Sequence, residues 1–539
     1  MWQKVVASSK KYEGAQMKFT YGTAGFRQRA SDLDSVLFKV GILSVLRSKA
    51  KCGKAIGVMI TASHNPVQDN GVKLIDPMGE MLEASWEKYA TALANASDDE
   101  LGDVLQHIVS INNIDMNSPA TVIVARDTRP SGNTLLLAFK EGVEAMGHTC
   151  RDFGLLTTPQ LHYIVRCLNT NNEYGEPSED GYYKKLSSAF KSLVSLAEKS
   201  TFSSIKLDGA NGIGALKMNK MAPYLEGFGS LLGIFNDGSN GVLNQGCGAD
   251  YVKVQQAAPV DFVYEVGDRC ASFDGDADRI VYFFKDAENV FHLLDGDRIA
   301  TLIAAYLKEK LDLAQIELSN GLGVVQTAYA NGSSTQYLQT QMKVPVACTK
   351  TGVKHLHHKA QDFDIGVYFE ANGHGTVLIS EEAELKIRSA AKERSNDVEQ
   401  KAAQCLSHFI DLTNQAIGDA ISDMLIVECI LNEKKWTCAD WSKCYSDLPN
   451  KQSKVQVKDR TVIQTTDAER KVSSPESLQE NIDQLVARVS NGRSFVRPSG
   501  TEDVVRIYAE AATKEEVDFL STAVCRLVYD ECGGVGTRP

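Results

Sequence analysis

Apolar residues gather in short unbroken runs along this chain, and each run is followed by a polar loop and then by a stretch of helical spacing. Runs at 55–60, 121–125, 205–208, 280–284 and 365–369 are too short for helices and predict buried strands. Helical periodicity predicts helices over 33–46, 83–96, 134–146, 186–199, 299–307 and 386–411, with a short amphipathic one over 2–11. Residues 19–21 read as a further strand, and Thr157-Thr158-Pro159 as a helix start. Series of strand, loop and helix begin near residues 19, 205 and 317, which predicts three successive α/β units. An acidic connection follows residue 96, and 169–180 read as a surface excursion. The polar stretch 446–459 reads as a linker and natural hinge. Beyond it lies a smaller α+β unit, with a strand over 504–509 and a helix over 514–529 capped by Thr513. The expected division is therefore α/β with four domains, at 1–200, 201–300, 301–450 and 451–539.

At 539 residues the chain exceeds what one core can hold. Hydrophobic residues at 43% and charged residues at 23% place it among globular proteins. No apolar run approaches bilayer-spanning length, and Met1-Trp2-Gln3-Lys4 does not open a secretory signal, so no membrane partner and a cytoplasmic location are expected. Asn95-Ala96-Ser97 and Asn331-Gly332-Ser333 match the glycosylation triplet and read as chance on that expectation. Twelve cysteines without repeated spacing fit reduced thiols. A net charge of −12 argues against a general nucleic-acid binder, although a local basic pocket can still take an anionic small molecule.

The candidate chemistry sits in the loops. Thr61-Ala62-Ser63-His64-Asn65-Pro66 presents a hydroxyl between two strand-like runs. A serine needs help to act as a nucleophile, and His64 or Lys73 can supply a proton acceptor or a charge. The same residues also suit an ordinary turn. Gly22-Thr23-Ala24-Gly25-Phe26-Arg27 offers backbone N–H groups and a guanidinium to a phosphate, and equally suits a plain glycine turn with a solvated arginine. Asp274-Gly275-Asp276-Ala277-Asp278-Arg279 can aim three carboxylates at one hard cation. It is no EF-hand loop, because Arg279 and Lys285 stand at the sixth and twelfth positions. Three carboxylates leave room for an outside oxygen, which suits Mg2+ sharing a phosphate; the alternative is a solvated acidic turn.

Thr351, Gly352 and Lys354 form a basic loop suited to sugar or phosphate contacts. His355, His357 and His358 after it read as a polar helix start ahead of a metal site. Glu370-Ala371-Asn372-Gly373-His374 puts a carboxylate and an amide on one loop, a match for vicinal hydroxyls, with His374 available for proton transfer. Arg497-Pro498-Ser499-Gly500-Thr501, with Arg506 on the next strand, makes a phosphate cradle or a solvated basic turn. Asp208-Gly209-Ala210-Asn211-Gly212-Ile213-Gly214 has the wrong glycine spacing for a dinucleotide fold.

Four of these loops, in this order, resemble the α-D-phosphohexomutase superfamily over residues 21–511. Within it the chain is similar to the branch acting on N-acetylglucosamine phosphates. The serine loop precedes Arg126-Asp127-Thr128-Arg129-Pro130, Ala277 stands in the aspartate loop, and Asn372 follows Glu370-Ala371. The resemblance implies four domains around a central cleft, three similar mixed α/β layers and a smaller C-terminal α+β domain. It also implies interconversion of N-acetylglucosamine 6-phosphate and 1-phosphate through a phosphoserine and a 1,6-bisphosphate, a step toward UDP-N-acetylglucosamine. On that implication Ser63 carries the phosphoryl group, and Ser63, Asp274, Asp276 and Asp278 hold Mg2+. Arg27, Lys73, His64 and Arg279 serve the chemistry. Thr351, Gly352, Lys354, Glu370, Ala371, Asn372 and His374 hold the sugar. Arg497, Pro498, Ser499, Gly500, Thr501 and Arg506 hold the phosphate that is not reacting. Oligomeric state is not legible.

Overall fold

The computed structural model describes residues 2–12, 17–197, 202–499 and 503–539. The chain forms two compact units, Met1–Asp295 with Asn372–Thr376 and Ser407–Cys438, and Gly296–Ala371 with Val377–Leu406 and Ala439–Pro539.

The first unit holds two five-stranded mixed sheets. One orders Phe26–Arg29, Asp69–Ile75, Ala55–Ile60, Thr121–Arg126 and Cys150–Leu155. Ala55–Ile60 is its centre, buried throughout, antiparallel to Asp69–Ile75 and parallel to Thr121–Arg126. The other orders Phe291–Leu294, Ile280–Lys285, Arg269–Phe273, Ile205–Asp208 and Leu232–Phe235. In both sheets the loops that matter leave the ends of buried central strands, Ala55–Ile60 and Arg269–Phe273.

Helix Asp34–Ala50 lies inside, buried from Ser35 to Lys49, as expected of a helix apolar nearly all round. It crosses helix Gly132–Ala145 at glycines, since a Cβ on Gly142 would sit 1.9 Å from the Phe38 carbonyl oxygen. Its polar residues are satisfied. Lys39 Nζ donates to the carbonyls of Ala94 and Ala96 (3.2 and 2.7 Å). Arg47 forms a two-pronged pair with Asp76 and lies over the Trp86 ring, 4.5 Å from its centroid.

The second unit carries a smaller sheet of Val346–Thr349, Leu322–Thr327, Ile365–Phe369 and Gly375–Ile379, the last straddling the unit boundary in sequence. It also holds an antiparallel sheet of Asn450–Gln456, Val504–Glu510 and Arg493–Pro498, and a hairpin of Gln464–Thr466 and Lys471–Ser474.

Most expected strands and helices form, and the exceptions have physical causes. Residues 19–21 are not a strand; the N–H groups of Phe19 and Tyr21 donate to the side chains of Asn95 and Thr91 instead of to a ladder. The strand forms at Phe26–Arg29. The acidic connection contains a helix, Asp98–Ile111, whose acids sit at its positive end under a Ser97–Glu100 capping box. The surface excursion ends earlier than expected, at helix Glu179–Leu196. The helix expected over 386–411 is two, Glu381–Glu393 and Asp397–Leu412. Helix Ala420–Lys434, buried on almost every face, was not foreseen. Half of the linker is a strand. Asn450–Gln456 pairs along its length with Val504–Glu510, and it reads polar because only Val455 turns fully inward.

Asp76→Ala removes the two-pronged buried partner of the Arg47 guanidinium and leaves it only the half-exposed Glu83, 3.0 Å from Nη2. A loss of about 3–5 kcal/mol is expected, read as a lower urea midpoint; an unchanged midpoint contradicts it.

Candidate active site

Ser63 lies on the loop after Ala55–Ile60, fully buried, with a left-handed backbone (φ 51°). Its Oγ donates to Asp274 Oδ2 at 2.7 Å and lies 3.4 Å from His64 Nδ1. The loop is fixed from beneath. Arg129 Nη1 donates to the carbonyls of Pro66 and Asp69 (2.6 and 2.8 Å), and its Nη2 to those of Ser63 and Asn65 (2.9 and 2.8 Å). Asp127 bonds Arg129 Nε and accepts from Thr61 Oγ1, which in turn accepts from the Ser63 N–H. Asn244 Nδ2 adds bonds to the Ser63 and Asn65 carbonyls (2.8 and 3.0 Å).

The aspartate loop approaches Ser63 at a glycine. A Cβ on Gly275 would lie 2.4 Å from the Ser63 carbonyl oxygen. Ala277, also left-handed at φ 58°, turns the loop so that Asp274, Asp276 and Asp278 converge, each buried, with carboxylate oxygens within 4.8 Å of one another. Lys73 Nζ bridges Asp276 and Asp278 at 3.3 and 3.2 Å. Arg279 Nε stands 3.8 Å from Asp274 and 3.7 Å from Asp278. Thr158 Oγ1 donates to Asp276 (2.6 Å), and His374 Nδ1 lies 2.7 Å from the Asp278 carbonyl oxygen.

Burial pushes all three carboxyl groups up. Asp274, with Asp278 and Asp276 beside it, ends well above the ordinary range. For Asp276 and Asp278 burial is the largest effect, but their partners together outweigh it and both stay low: Lys73 first in each case, joined by Thr158 and Arg27 at Asp276 and by His374 and Arg279 at Asp278. The same carboxylates raise Lys73 against its own burial. His64 falls to about 3, through burial and then the positive charge of Arg279 and Arg27, so its ring is neutral. Burial and Arg279 disfavour the charge on Arg27, yet a guanidinium keeps its proton, and its Nε is buried without a hydrogen-bond partner. An anion is what such a donor lacks.

The trio fits a hard divalent cation such as Mg2+. Asp276 Oδ1 and Asp278 Oδ1 are buried with no hydrogen-bond partner, as oxygens reserved for a metal would be. Among the described residues these three form the acidic group able to hold one, and the histidines of helix Val353–Ala360 form no such group.

In the second unit, Gly352 N–H donates to Glu370 Oε1 (3.3 Å), and the Thr351 N–H and hydroxyl both donate to Glu469 (3.0 and 2.7 Å). Lys354 is buried on the helix that follows. The Ala371 carbonyl accepts from Gly296 N–H at 3.5 Å. In the first unit, Asn372 Oδ1 accepts from the His374 N–H at 3.0 Å, so that oxygen already shapes its own loop. Arg497 Nε donates to the Tyr329 hydroxyl (3.1 Å), and Pro498 pairs with Val505 across the sheet. The Ser499 N–H donates to the Val504 carbonyl. Gly500 and Thr501 lie outside the described residues. Arg506 stands directly opposite Arg497 and, on its other side, opposite Lys454, so three cations share one row of one sheet face. Like charges in that register cost stability unless an anion joins them.

Family models match along the chain. The phosphoglucomutase/phosphomannomutase α/β/α domain I matches residues 24–101 and 102–173, and the C-terminal domain of that family matches 453–527. Phosphoacetylglucosamine mutase domains II and III match 175–281 and 295–436. A human phosphoacetylglucosamine mutase is 56% identical over 521 residues, 96% of this chain and 95% of its own. The chain belongs to the phosphoacetylglucosamine mutase family. A Candida albicans phosphoacetylglucosamine mutase is 50% identical over 95% of this chain and 96% of its own. An Aspergillus fumigatus N-acetylphosphoglucosamine mutase, crystallised with GlcNAc-6P and magnesium, matches with a TM-score of 0.94 at 49% identity, over 98% of this chain and 99% of that one. The two matches that carry the phosphoacetylglucosamine mutase name contain the aspartate loop and the Glu370–His374 loop; the other two are shared with glucose and mannose mutases.

Sequence reading missed three side chains: Arg129 as the hub of the serine loop, Asn244 beside it, and Lys454 in the basic row. Only Arg129 left a signal, on a loop ending a buried strand, and nothing local tied it to Ser63. Arg129→Lys keeps the charge but cannot span four carbonyls. Its kcat is expected to fall about 10²-fold, the scale of a 1 Å misplacement, in steady-state assays; wild-type kcat contradicts the positioning role.

Proposed function

We propose that Ser63 relays a phosphoryl group between the 6- and 1-oxygens of N-acetylglucosamine phosphates. The observation that carries this is the Ser63 Oγ, 2.7 Å from Asp274 inside a buried trio of carboxylates flanked by Lys73 and Arg279. The A. fumigatus relative crystallised with GlcNAc-6P and magnesium, and a variant of it with glucose 1,6-bisphosphate, support the substrate and the intermediate.

Phosphoserine at 63 gives its PO3 group to the free sugar hydroxyl. The Ser63 O–P bond breaks, a sugar O–P bond forms, and the hydroxyl proton leaves to a base. The resulting 1,6-bisphosphate turns over. Its other phosphate then passes to Ser63 Oγ, releasing the isomer and restoring the phosphoenzyme. Mg2+, bound by Asp274, Asp276, Asp278 and a serine-bound oxygen, offsets charge on the transferring group. Arg27, Lys73 and Arg279 surround that group with positive charge. Of the two candidate proton carriers, His64 is neutral and has a lone pair for the hydroxyl proton, though near 3 it is a weak base, whereas Lys73, held as an ammonium by Asp276 and Asp278, can give a proton but not take one. In this reading Thr351, Gly352, Lys354, Glu370, Ala371, Asn372 and His374 hold the sugar. Arg497, Pro498, Ser499, Gly500, Thr501 and Arg506 hold the phosphate that is not reacting, joined by Lys454. One fixed anion site lets two orientations of the intermediate use the same chemistry.

The four-domain division and a cytoplasmic setting belong to the same proposal. No disulfide joins the described cysteines, which supports a reducing compartment. Among the described residues no helix is long and apolar enough to cross a membrane.

Intact-mass analysis is expected to find one added phosphate on the active protein, absent in Ser63→Ala, whose mutase activity falls at least about 10³-fold. Full activity in that variant ends the phosphoserine route. Chelation of divalent ions is expected to abolish turnover and Mg2+ to restore it, with Asp276→Asn raising the Mg2+ concentration required. Turnover unaffected by chelation contradicts the metal assignment.

A further inference from the structure

The hairpin Gln464–Thr466 and Lys471–Ser474 turns through Asp467, Ala468 and Glu469, all at positive φ (49°, 56° and 67°). None is glycine, so the turn holds three side-chain-bearing residues in a region they rarely adopt. It carries the Glu469 carboxylate into the two loops assigned above to substrate. Oε2 accepts from the Thr351 N–H and hydroxyl at 3.0 and 2.7 Å. Oε1 lies 3.7 Å from Arg497 Nη1. Both side chains of that pair are only 16% exposed. Arg497 is held from its other side by Tyr329, through Nε to the hydroxyl and across the ring, 5.5 Å from its centroid.

A carboxylate bound by a backbone N–H, a hydroxyl and a guanidinium is bound as a phosphate oxygen would be. We propose that Glu469 is a resident competitor for the phosphate anchor. It bridges Thr351 and Arg497 until the sugar phosphate displaces it, and it retakes Arg497 each time the anchored phosphate lets go. The proposal rests on the anchor reading of Arg497.

A mutase has a particular use for such a competitor. The bisphosphate must release its anchored phosphate once per cycle to present the other end. An anchor that binds ground states too tightly lowers KM without raising kcat, and here it also slows the turn of the intermediate. An anion tethered to the same arginine makes each release easier. The row of Arg497, Arg506 and Lys454 supplies the surplus positive charge that makes such moderation useful.

The test is steady-state kinetics of Glu469→Gln and Glu469→Ala, with inhibition by inorganic phosphate measured alongside. Gln keeps the shape and the acceptor for Thr351 but loses the charge. Both variants are expected to show KM for N-acetylglucosamine 6-phosphate lowered at least about 3-fold, with kcat lowered too and inorganic phosphate inhibiting more strongly. That split separates competition from simple damage, which raises KM. An unchanged or raised KM in both variants overturns the proposal. Arg497→Ala tests the anchor independently and is expected to raise KM at least about 10-fold. If it does not, the anchor reading fails; if it does and Glu469→Gln leaves KM unchanged, only the competitor fails.

Discussion

Three carboxylates buried within 4.8 Å of one another are the constraint around which the first unit is arranged. At about 4 Å, and at the effective dielectric of a protein site, each like-charge pair repels by roughly 4 kcal/mol. Such a cluster persists only beside compensating charge. Lys73 and Arg279 supply part of it, and with the other partners they keep Asp276 and Asp278 low while Asp274 is raised. A divalent cation completes the balance and accounts for the two buried oxygens that nothing else bonds. The Ser63 hydroxyl is placed against the one carboxyl group of the trio that Lys73 does not bridge.

That placement costs backbone freedom. Ser63 and Ala277 are both left-handed, and a side chain on Gly275 would strike the Ser63 carbonyl. Strain of this kind persists only where the surroundings over-determine it. Arg129 and Asn244 do so by occupying the carbonyls of the serine loop, which leaves the loop little freedom to relax away from the aspartates.

The strands and their loops were legible in the sequence because buried parallel strands are short apolar runs and the loops carry uncommon residue pairs. Ser63, Lys73 and the three aspartates were legible for the same reason. Three kinds of feature were not. Helix Ala420–Lys434 is apolar on nearly all faces and shows no amphipathic period. Strand Asn450–Gln456 is an edge strand whose exposed face imitates a linker. Arg129, Asn244 and Lys454 act through partners far away in sequence, and periodicity cannot reveal such pairings. Family resemblance connected the loops to one reaction, yet it was silent on what holds them in place.

If Ser63 is the relay, the phosphoryl group on the sugar and the one on Ser63 exchange in every turnover. The most direct measurement is a single turnover of protein labelled with radioactive phosphate at Ser63, mixed with unlabelled N-acetylglucosamine 6-phosphate. Label is expected to leave the protein and appear on the 1-oxygen of the product, while the unlabelled phosphate becomes bound to Ser63. Label that stays on the protein while product forms contradicts it.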